Sequence, residues 1–339
     1  MTTVSSPGSG PSTTTRPRLT LESLKRQRSK DTFGQVFQGL LLLAVAIAFA
    51  MVLTVLITVL IDSADVLFVQ FWDFLTNRSS SNPGQAGVAQ GIRGSIIIAG
   101  IVTVTAFPVG IGAAIYLEEY AADTAFTRLI EVTVRNLAGV PSIVYGLLGL
   151  AVFVQGLRGI TGGSSVISAG LTLAILVLPI VIITASEAIR AIPSALREGA
   201  YGLGATQWEV IRTQVLPAAM PGILTGAVLS IARALGEAAP LLVIGAAAFY
   251  STGFQGQLEQ LQGAFTALPM NVAIFAKLPA DVWAGHAASA SVVVLVLVFA
   301  INLVAIIARA RLSKKLGRGP QQTPIIQRFS CLTNYRLPE

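Results

Sequence analysis

From Thr32 to Ile61 the chain runs thirty residues without a charged side chain, and most of them are aliphatic. Few folds can take such a run. An α-helix rises about 1.5 Å per residue and a bilayer core is about 30 Å thick, so about 20 apolar residues cross it. Hydrocarbon offers no water to backbone N–H and C=O groups, and only a helix or a closed barrel pairs them all internally. Five more apolar runs follow: Gly94–Leu117, Asn136–Leu157, Gly159–Ser186 (interrupted only by Pro179), Pro221–Phe249, which carries two charges, and Val282–Ala308. The third and fourth are separated only by a short link around Arg158, which predicts a tight helical hairpin. The reading is an all-α membrane protein with six transmembrane helices.

Composition agrees. Of 339 residues, 53% are hydrophobic and 12% charged, and the mean hydropathy is +0.73; an ordinary soluble domain is about one-quarter charged. The net charge of +7 does not point to nucleic acid, because the basic residues crowd into two tails. Arg16, Arg18, Lys25, Arg26, Arg28 and Lys30 precede the first run, and Arg309, Arg311, Lys314, Lys315, Arg318, Arg328 and Arg336 follow the last. No basic stripe interleaves with aromatics.

Six spans put both termini on one side. The two tails with the segments Glu118–Arg135 and Glu187–Ala219 hold eighteen Lys and Arg residues. The other side holds Arg78, Arg158 and Lys277, with Arg93 at the boundary. The positive-inside rule therefore makes both termini cytoplasmic. Residues 1–34, rich in Ser, Thr and Pro, are expected to be disordered and cytoplasmic; the first apolar run begins too late and is too long for a signal peptide. Residues 35–310 form the membrane domain and 311–339 a cytoplasmic tail. The one cysteine, Cys331, cannot make an internal disulfide, and no Cys/His cluster suggests a metal.

The cytoplasmic loop 187–219 carries signals for two short helices. Ser194 can cap the first, which runs through Leu196, Glu198 and Ala200 and ends at Gly202 or Gly204. Thr206 with Glu209 forms a Thr-x-x-Glu capping box that opens the second, through Trp208, Val210 and Ile211. Pro217 is expected to stop it. Leu196, Leu203 and Trp208 near the turn suit either a knob entering a partner's groove or a linker packing on its own membrane domain.

Glu198-Gly199-Ala200, then Gly204, then Leu216-Pro217, resembles the EAA loop of ABC-importer permeases, whose pattern is Glu-Ala-Ala, three residues, Gly, nine residues, Ile, one residue, Leu-Pro. The spacing fits without a gap. Gly199 replaces the first alanine, at roughly 1 kcal/mol of helix propensity, and Gln214 replaces the isoleucine. Three further stretches look like the PstA-type permeases of phosphate importers: Val140-Pro141-Ser142-Ile143-Val144-Tyr145-Gly146, Arg233–Glu237 with Ala238-Ala239-Pro240-Leu241-Leu242, and Phe265-Thr266-Ala267-Leu268-Pro269. The resemblance covers about residues 90–310. It implies the type I importer permease fold in a bacterial cell membrane, a PstC-type second permease, a dimer of PstB-type ATPases holding ATP and Mg, and delivery of phosphate by an extracytoplasmic PstS-type protein. It also implies that Glu198, Gly199, Ala200, Leu203, Gly204 and Trp208 dock the ATPase. No Gly-x-x-x-x-Gly-Lys-Ser/Thr loop occurs in the chain, so ATP dependence would come from another subunit.

Arg233 and Glu237 stand four residues apart inside the fifth apolar run, where i,i+4 spacing puts them on one helical face with Gly222, Gly226, Ser230 and Pro240 or Leu241. Counted from Pro221, Arg233 lies about 18 Å along the helix, close to the membrane midplane. Pro240 cannot donate to the carbonyl of Gly236, which predicts a kink beside Glu237. An unpaired charge at such depth costs about 2.5–3.5 kcal/mol on insertion scales. Glu237 could simply neutralise Arg233 to lock helices together. Alternatively, Arg233 meets an anion and Glu237 holds it until then, and the planar guanidinium fork suits phosphate. Matching the pair to the family's arginine and glutamate favours the second reading.

Other polar candidates are weaker. Thr103 and Thr105 fit backbone bonding better than a pathway. Asn136, Tyr145 and Asn302 suit interhelical hydrogen bonds, His286 an interfacial position, and Arg93 the outer headgroups. Against the importer stand a permease for another oxyanion or solute, a secondary transporter or channel using the ion pair as a charge relay, and a membrane anchor. The EAA loop and the lack of a second transporter-like half argue against the transporter or channel, and an anchor would not need an intramembrane ion pair.

Overall fold

The structure, a computed structural model, describes residues 32–246, 261–279 and 281–316. The N-terminal segment up to residue 31, the predicted end of the fifth span at Phe249, and the tail from 317, with Cys331, lie outside the described residues. Among the described residues all regular structure is helical. In chain order the helices are α1 Thr32–Val69, α2 Phe71–Thr76, α3 Ala89–Ile115, α4 Ala125–Ala138, α5 Ser142–Gly149, α6 Arg158–Thr161, α7 Val166–Arg190, α8 Ser194–Gly202, α9 Gln207–Val210, α10 Leu216–Gly236, α11 Ala239–Ile244, α12 Leu268–Phe275 and α13 Asp281–Leu316. A 3-10 turn spans Pro83–Gln85. Wider π turns at Tyr116–Tyr120, Leu150–Gly156 and Ile211–Val215 extend α3, extend α5 and join α9 to α10.

The chain divides at Thr58 into two units. The first holds α1 up to Thr58, whose side chains are exposed nearly all round. The Thr54 hydroxyl, in mid-helix, donates to Ala50 O at 2.8 Å. A helix that is apolar on every face and covered on none suits hydrocarbon and no aqueous surface.

The second unit is built on α3 and α7. Gly170 of α7 sits so close to α3 that an added Cβ would lie 2.6 Å from Ile101 Cγ2, and Gly226 of α10 admits Thr184 of α7 equally closely. Small residues let membrane helices approach because packing, in the absence of a hydrophobic drive, supplies the attraction. Three apolar cores result. One gathers Ile98, Val102, Tyr145, Leu173, Ala234, Leu241 and Phe265. Another joins Phe74, Leu268, Phe275 and Trp283, and a third Ala114, Ala185, Ile189, Val210 and Ile223. Hydroxyls in these helices bond the preceding turn: Thr103 Oγ1 to Ala99 O and Thr105 Oγ1 to Ile101 O, each at 2.7 Å, and Ser230 Oγ to Gly226 O at 2.8 Å. The two threonines behave as the sequence reading expects.

Five helical runs are long and apolar enough to cross a membrane: Gly34–Val69, Ala89–Tyr120, Val166–Arg190, Gln207–Gly236 and Val282–Arg311. The remaining predicted span, the third, Asn136–Leu157, is no straight helix. Its first residues belong to α4, and the chain then bends by 101° between Ala125–Ala138 and Ser142–Gly156. Pro141 lacks an N–H and disfavours helix at Val140, so the helix breaks there. The link to the fourth span is also longer than expected. It includes α6 and the left-handed Gly162 and Gly163, so that span starts at Val166.

Pro217 does not stop a helix. In the π turn Ile211–Val215 the Leu216 N–H bonds Ile211 O, five residues back, and this wider turn accommodates a proline that a tight α-turn would exclude. Ser194 opens α8 without capping it; Pro193 holds the cap position and no side-chain bond is made. His286, expected at an interface, is instead only 4% exposed. Its Nδ1 lies 2.9 Å from Val282 O and its Nε2 3.0 Å from Pro83 O, with Phe74, Phe275 and Trp283 around the ring. Asn302 Oδ1 is buried without a hydrogen bond.

The tight seam gives a paired test. In Gly226→Ala the new Cβ would stand 2.0 Å from Thr184 Oγ1 and 2.5 Å from Thr184 Cβ, and a β-branched neighbour cannot swing away. The variant should lose about 1–3 kcal/mol, as overpacked sites do, read as a lower unfolding midpoint in detergent. Gly199→Ala meets nothing within 4 Å and should leave that midpoint unchanged or slightly raised.

Candidate functional site

The Arg233–Glu237 pair stands at a helix break. Helix α10 ends at Gly236, Glu237 is extended at φ −84° and ψ 117°, and α11 restarts with Pro240 in its first turn. Proline is tolerated there because the first N–H groups of a helix have no intrahelical acceptor. Arg233 Nε lies 3.4 Å from Glu237 Oε1, with the side chains 44% and 20% exposed. The predicted kink is thus a full break, and the pair is closed by the turn of the chain at the cap, not along a continuous face. Arg233 occupies the last helical turn, where unpaired carbonyls favour a cation.

Two expectations change with that geometry. Because Pro217 does not interrupt it, the helical run extends from Gln207 to Gly236, so Arg233 lies near its C-terminal end. The small residues Gly222, Gly226 and Ser230 do not continue the surface of the pair. Gly222 and Gly226 turn to α7, where added Cβ atoms would meet Ala188 and Thr184, and Ser230 is buried with its hydroxyl on Gly226 O.

The break brings together motifs far apart in sequence. Pro240 packs on Gly146 of α5, whose added Cβ would be 2.8 Å from Pro240 Cα. Ser164 Oγ donates to Ile244 O at 2.7 Å. Tyr145 is buried, donates its hydroxyl to Leu137 O at 2.8 Å, and lies within electrostatic reach of Arg233. Phe265 and Ala267 join the same core. Thr266 Oγ1 and Asn271 Oδ1 are 2.9 Å apart, and the Leu268 N–H donates to Ser95 Oγ of α3 at 3.0 Å.

The loop 187–219 forms the second candidate site. Helix α8 ends at Gly202, Gly204 takes the left-handed conformation at φ +85°, and Thr206 and Glu209 make the predicted capping box. Leu203 projects furthest, 92% exposed, with Trp208 and Leu196 also exposed. Glu198 and Gly199 lie on the exposed side, whereas Ala200 turns inward against the third core. The apolar tip therefore comes from Leu196, Leu203 and Trp208.

What the sequence reading missed is the set of charges that seats this loop. Arg190 donates from Nη2 to Glu118 Oε1 at 2.8 Å and from Nε to Glu118 Oε2 at 3.1 Å, with Glu131 of α4 at 3.8 Å. Arg197 Nη2 reaches Glu119 Oε1 at 2.9 Å, and its Nη1 donates to Ile192 O at 2.7 Å. The signal available was Glu118-Glu119 at the end of an apolar run with Arg190 and Arg197 flanking a later one, but nothing local pairs residues more than seventy positions apart.

Residues 106–318 match the family described as "Binding-protein-dependent transport system inner membrane component". The chain belongs to this family. Among the family's curated members, the "Phosphate transport system permease protein PstA 1" of Mycobacterium tuberculosis (strain ATCC 25618 / H37Rv) is 36% identical over 225 residues, 66% of this chain and 70% of that one. The "Phosphate transport system permease protein PstC" of Haemophilus influenzae (strain ATCC 51907 / DSM 11121 / KW20 / Rd) is 31% identical over 245 residues, 62% of this chain and 75% of that one. A chain of a bacterial alginate ABC transporter, solved with an alginate pentasaccharide-bound periplasmic protein, shares the fold with a TM-score of 0.60 at 16% identity, over 88% of this chain and 98% of that one. The family's membrane components thus account for the fold and for a multi-pass location in an inner membrane.

Gly204 tests the loop geometry. A β-branched residue at φ +85° is strained by about 1–3 kcal/mol. In Gly204→Val, amide hydrogen exchange should speed up at residues 200–206 and remain unchanged in α7.

Proposed function

We propose that this chain is one of two permease subunits of an ATP-driven phosphate importer, with Arg233 as the residue that meets the anion on its path. The observation that carries the reading is the Arg233–Glu237 contact of 3.4 Å at the break between α10 and α11, in a family whose similar members include permeases named for phosphate transport. A guanidinium stays protonated and offers two parallel N–H donors to a tetrahedral oxyanion. Glu237 neutralises it in the resting state, and an arriving phosphate displaces that carboxylate. At 44% exposure Arg233 is reachable while Glu237, more covered, stays beside it. The partial negative charge of the helix end keeps the cation from holding phosphate too tightly, which a pathway requires.

The rest of the assembly follows from the loop. Leu196, Leu203 and Trp208 form the tip that enters a groove on a cytoplasmic ATPase, with Glu198, Gly199 and Gly204 shaping it and Ala200 anchoring it to the membrane domain. ATP and Mg are held by two PstB-type ATPase subunits, a PstC-type permease forms the other half of the path, and a PstS-type binding protein delivers phosphate. Both termini face the cytoplasm, as the basic asymmetry requires.

Uptake of labelled phosphate, with sulfate as competitor, into vesicles holding the assembled complex tests this directly. Arg233→Gln keeps hydrogen bonding but removes the charge and should lower uptake about 10–100-fold, the worth of a charge-assisted bond of about 1.5–3 kcal/mol. Arg233→Lys should fall between, since lysine lacks the fork. Replacing both Arg233 and Glu237 by Leu should leave an assembled complex, because apolar residues often substitute for an ion pair, and that complex should be inactive. Normal phosphate uptake by the double variant would overturn the reading.

A further inference from the structure

The charges that seat the cytoplasmic loop have a geometry that plain anchoring does not need. Glu118 and Glu119 are consecutive in the π turn Tyr116–Tyr120 at the end of α3, so their side chains leave the helix in different directions. Glu118 takes Arg190, the last residue of α7, in a bidentate pair. Glu119 takes Arg197, one turn into α8. The two grips therefore lie on either side of the joint Ala191–Pro193. A third is made to the far half of the loop, where the Gln207 side-chain amide at the start of α9 donates to the Glu119 carbonyl. Both carboxylates are well covered, at 11% and 6% exposure, and Arg197 is fixed further by Ile189 O and Ile192 O at 3.0 and 2.7 Å.

The apolar contacts of Ala114, Ala185, Ile189, Val210 and Val215 already hold these elements together. Ion pairs add direction. An apolar seam allows one surface to slide on another, whereas a guanidinium fork on a carboxylate has one favoured geometry. From Glu118, α3 runs back to Ala106, Val102 and Ile98, which share a core with Ala234 and Tyr145 beside the Arg233 site. A helix packed at protein density moves as a body and does not absorb a push by compressing.

We propose that Glu118 and Glu119, with Arg190 and Arg197, act as a clutch: they make α3 follow the cytoplasmic loop, so that displacement of the loop tip reaches the Arg233–Glu237 break. These are positioning residues and touch no solute. The inference rests on the coupled-importer reading but not on phosphate as the solute.

The test uses the complete importer in lipid vesicles with Glu118→Gln, Glu119→Gln and Arg190→Lys, reading assembled complex, ATP hydrolysis and phosphate uptake together. In the two glutamine variants assembly and hydrolysis should stay near those of the unaltered complex while uptake falls, raising the ATP spent per phosphate about tenfold, the size of effect seen when a coupling element is weakened. Arg190→Lys keeps the charge without the fork and should lie between. A second readout needs no solute: spin labels at Gly100→Cys on α3 and Ser194→Cys on α8 should keep a constant separation when ATP is added to the otherwise unaltered complex, and shift in the glutamine variants. An unchanged ATP-to-phosphate ratio in both glutamine variants overturns the clutch, as does a parallel loss of assembly, hydrolysis and uptake, which would assign the pairs to folding alone. If the unaltered complex takes up no phosphate, the solute assignment fails and the label separation alone decides: a shift confined to the variants supports the clutch, and identical behaviour overturns it.

Discussion

A carbonyl oxygen freed from its helix inside a bilayer has no water to turn to, and the second unit is arranged around that constraint. Three bends or ends of helices come with a side-chain donor. At the bend between α4 and α5 the Leu137 carbonyl accepts the Tyr145 hydroxyl. At the end of α11 the Ile244 carbonyl accepts from Ser164, and in the link before α7 the Ile160 carbonyl accepts from the Gln262 side chain at 2.9 Å. In each of the three, a polar side chain satisfies a carbonyl where the helix is interrupted. The repair also locates the break, because a donor 80 or 102 positions away is present only in one packing of the helices.

Charge obeys the same economy. The bidentate Arg190–Glu118 pair and the Arg197–Glu119 pair lie at the ends of α3 and α7, next to the loop between α7 and α9, where solvation is cheapest. Arg233 and Glu237 stand apart from them, at the break between α10 and α11. In the proposed function, their exposure within the chain and the helix end beside them let an incoming anion divide the pair. The ends of α3 and the break after α10 are linked through one continuous packed body, so a loop held by charges at one end and an ion pair at the other belong to a single mechanical unit.

The turn chemistry shows how local signals and packing share the work. Thr206 with Glu209 and Gly204 at positive φ act within a few residues, and both are readable from composition and spacing. Pro217 and Ser194 were misread for the opposite reason. A proline near a helix start is a stop only if the preceding turn stays α-helical, and here a π turn widens to admit it. A serine is a cap only if the chain enters the helix at the next residue, and Pro193 takes that place.

The sequence alone determined the solvent and the class of fold, and it marked the loop 187–219 by its motif spacing. Long charge-free runs leave no alternative to membrane helices, and spacing within Glu198–Pro217 is a local property that needs no packing to be seen. Residues such as Arg233 and Glu237 were legible because a charge in an apolar run is costly wherever the run goes. Only the tertiary structure decided that the third span is bent by 101°, that the Gly222–Ser230 stripe faces α7 and not the ion pair, that His286 is clamped to Pro83, and that Glu118 and Glu119 seize Arg190 and Arg197. The last three depend on groups brought together from more than thirty to more than two hundred positions apart. Their energies exist only once the helices have packed, so no pattern along the chain can contain them.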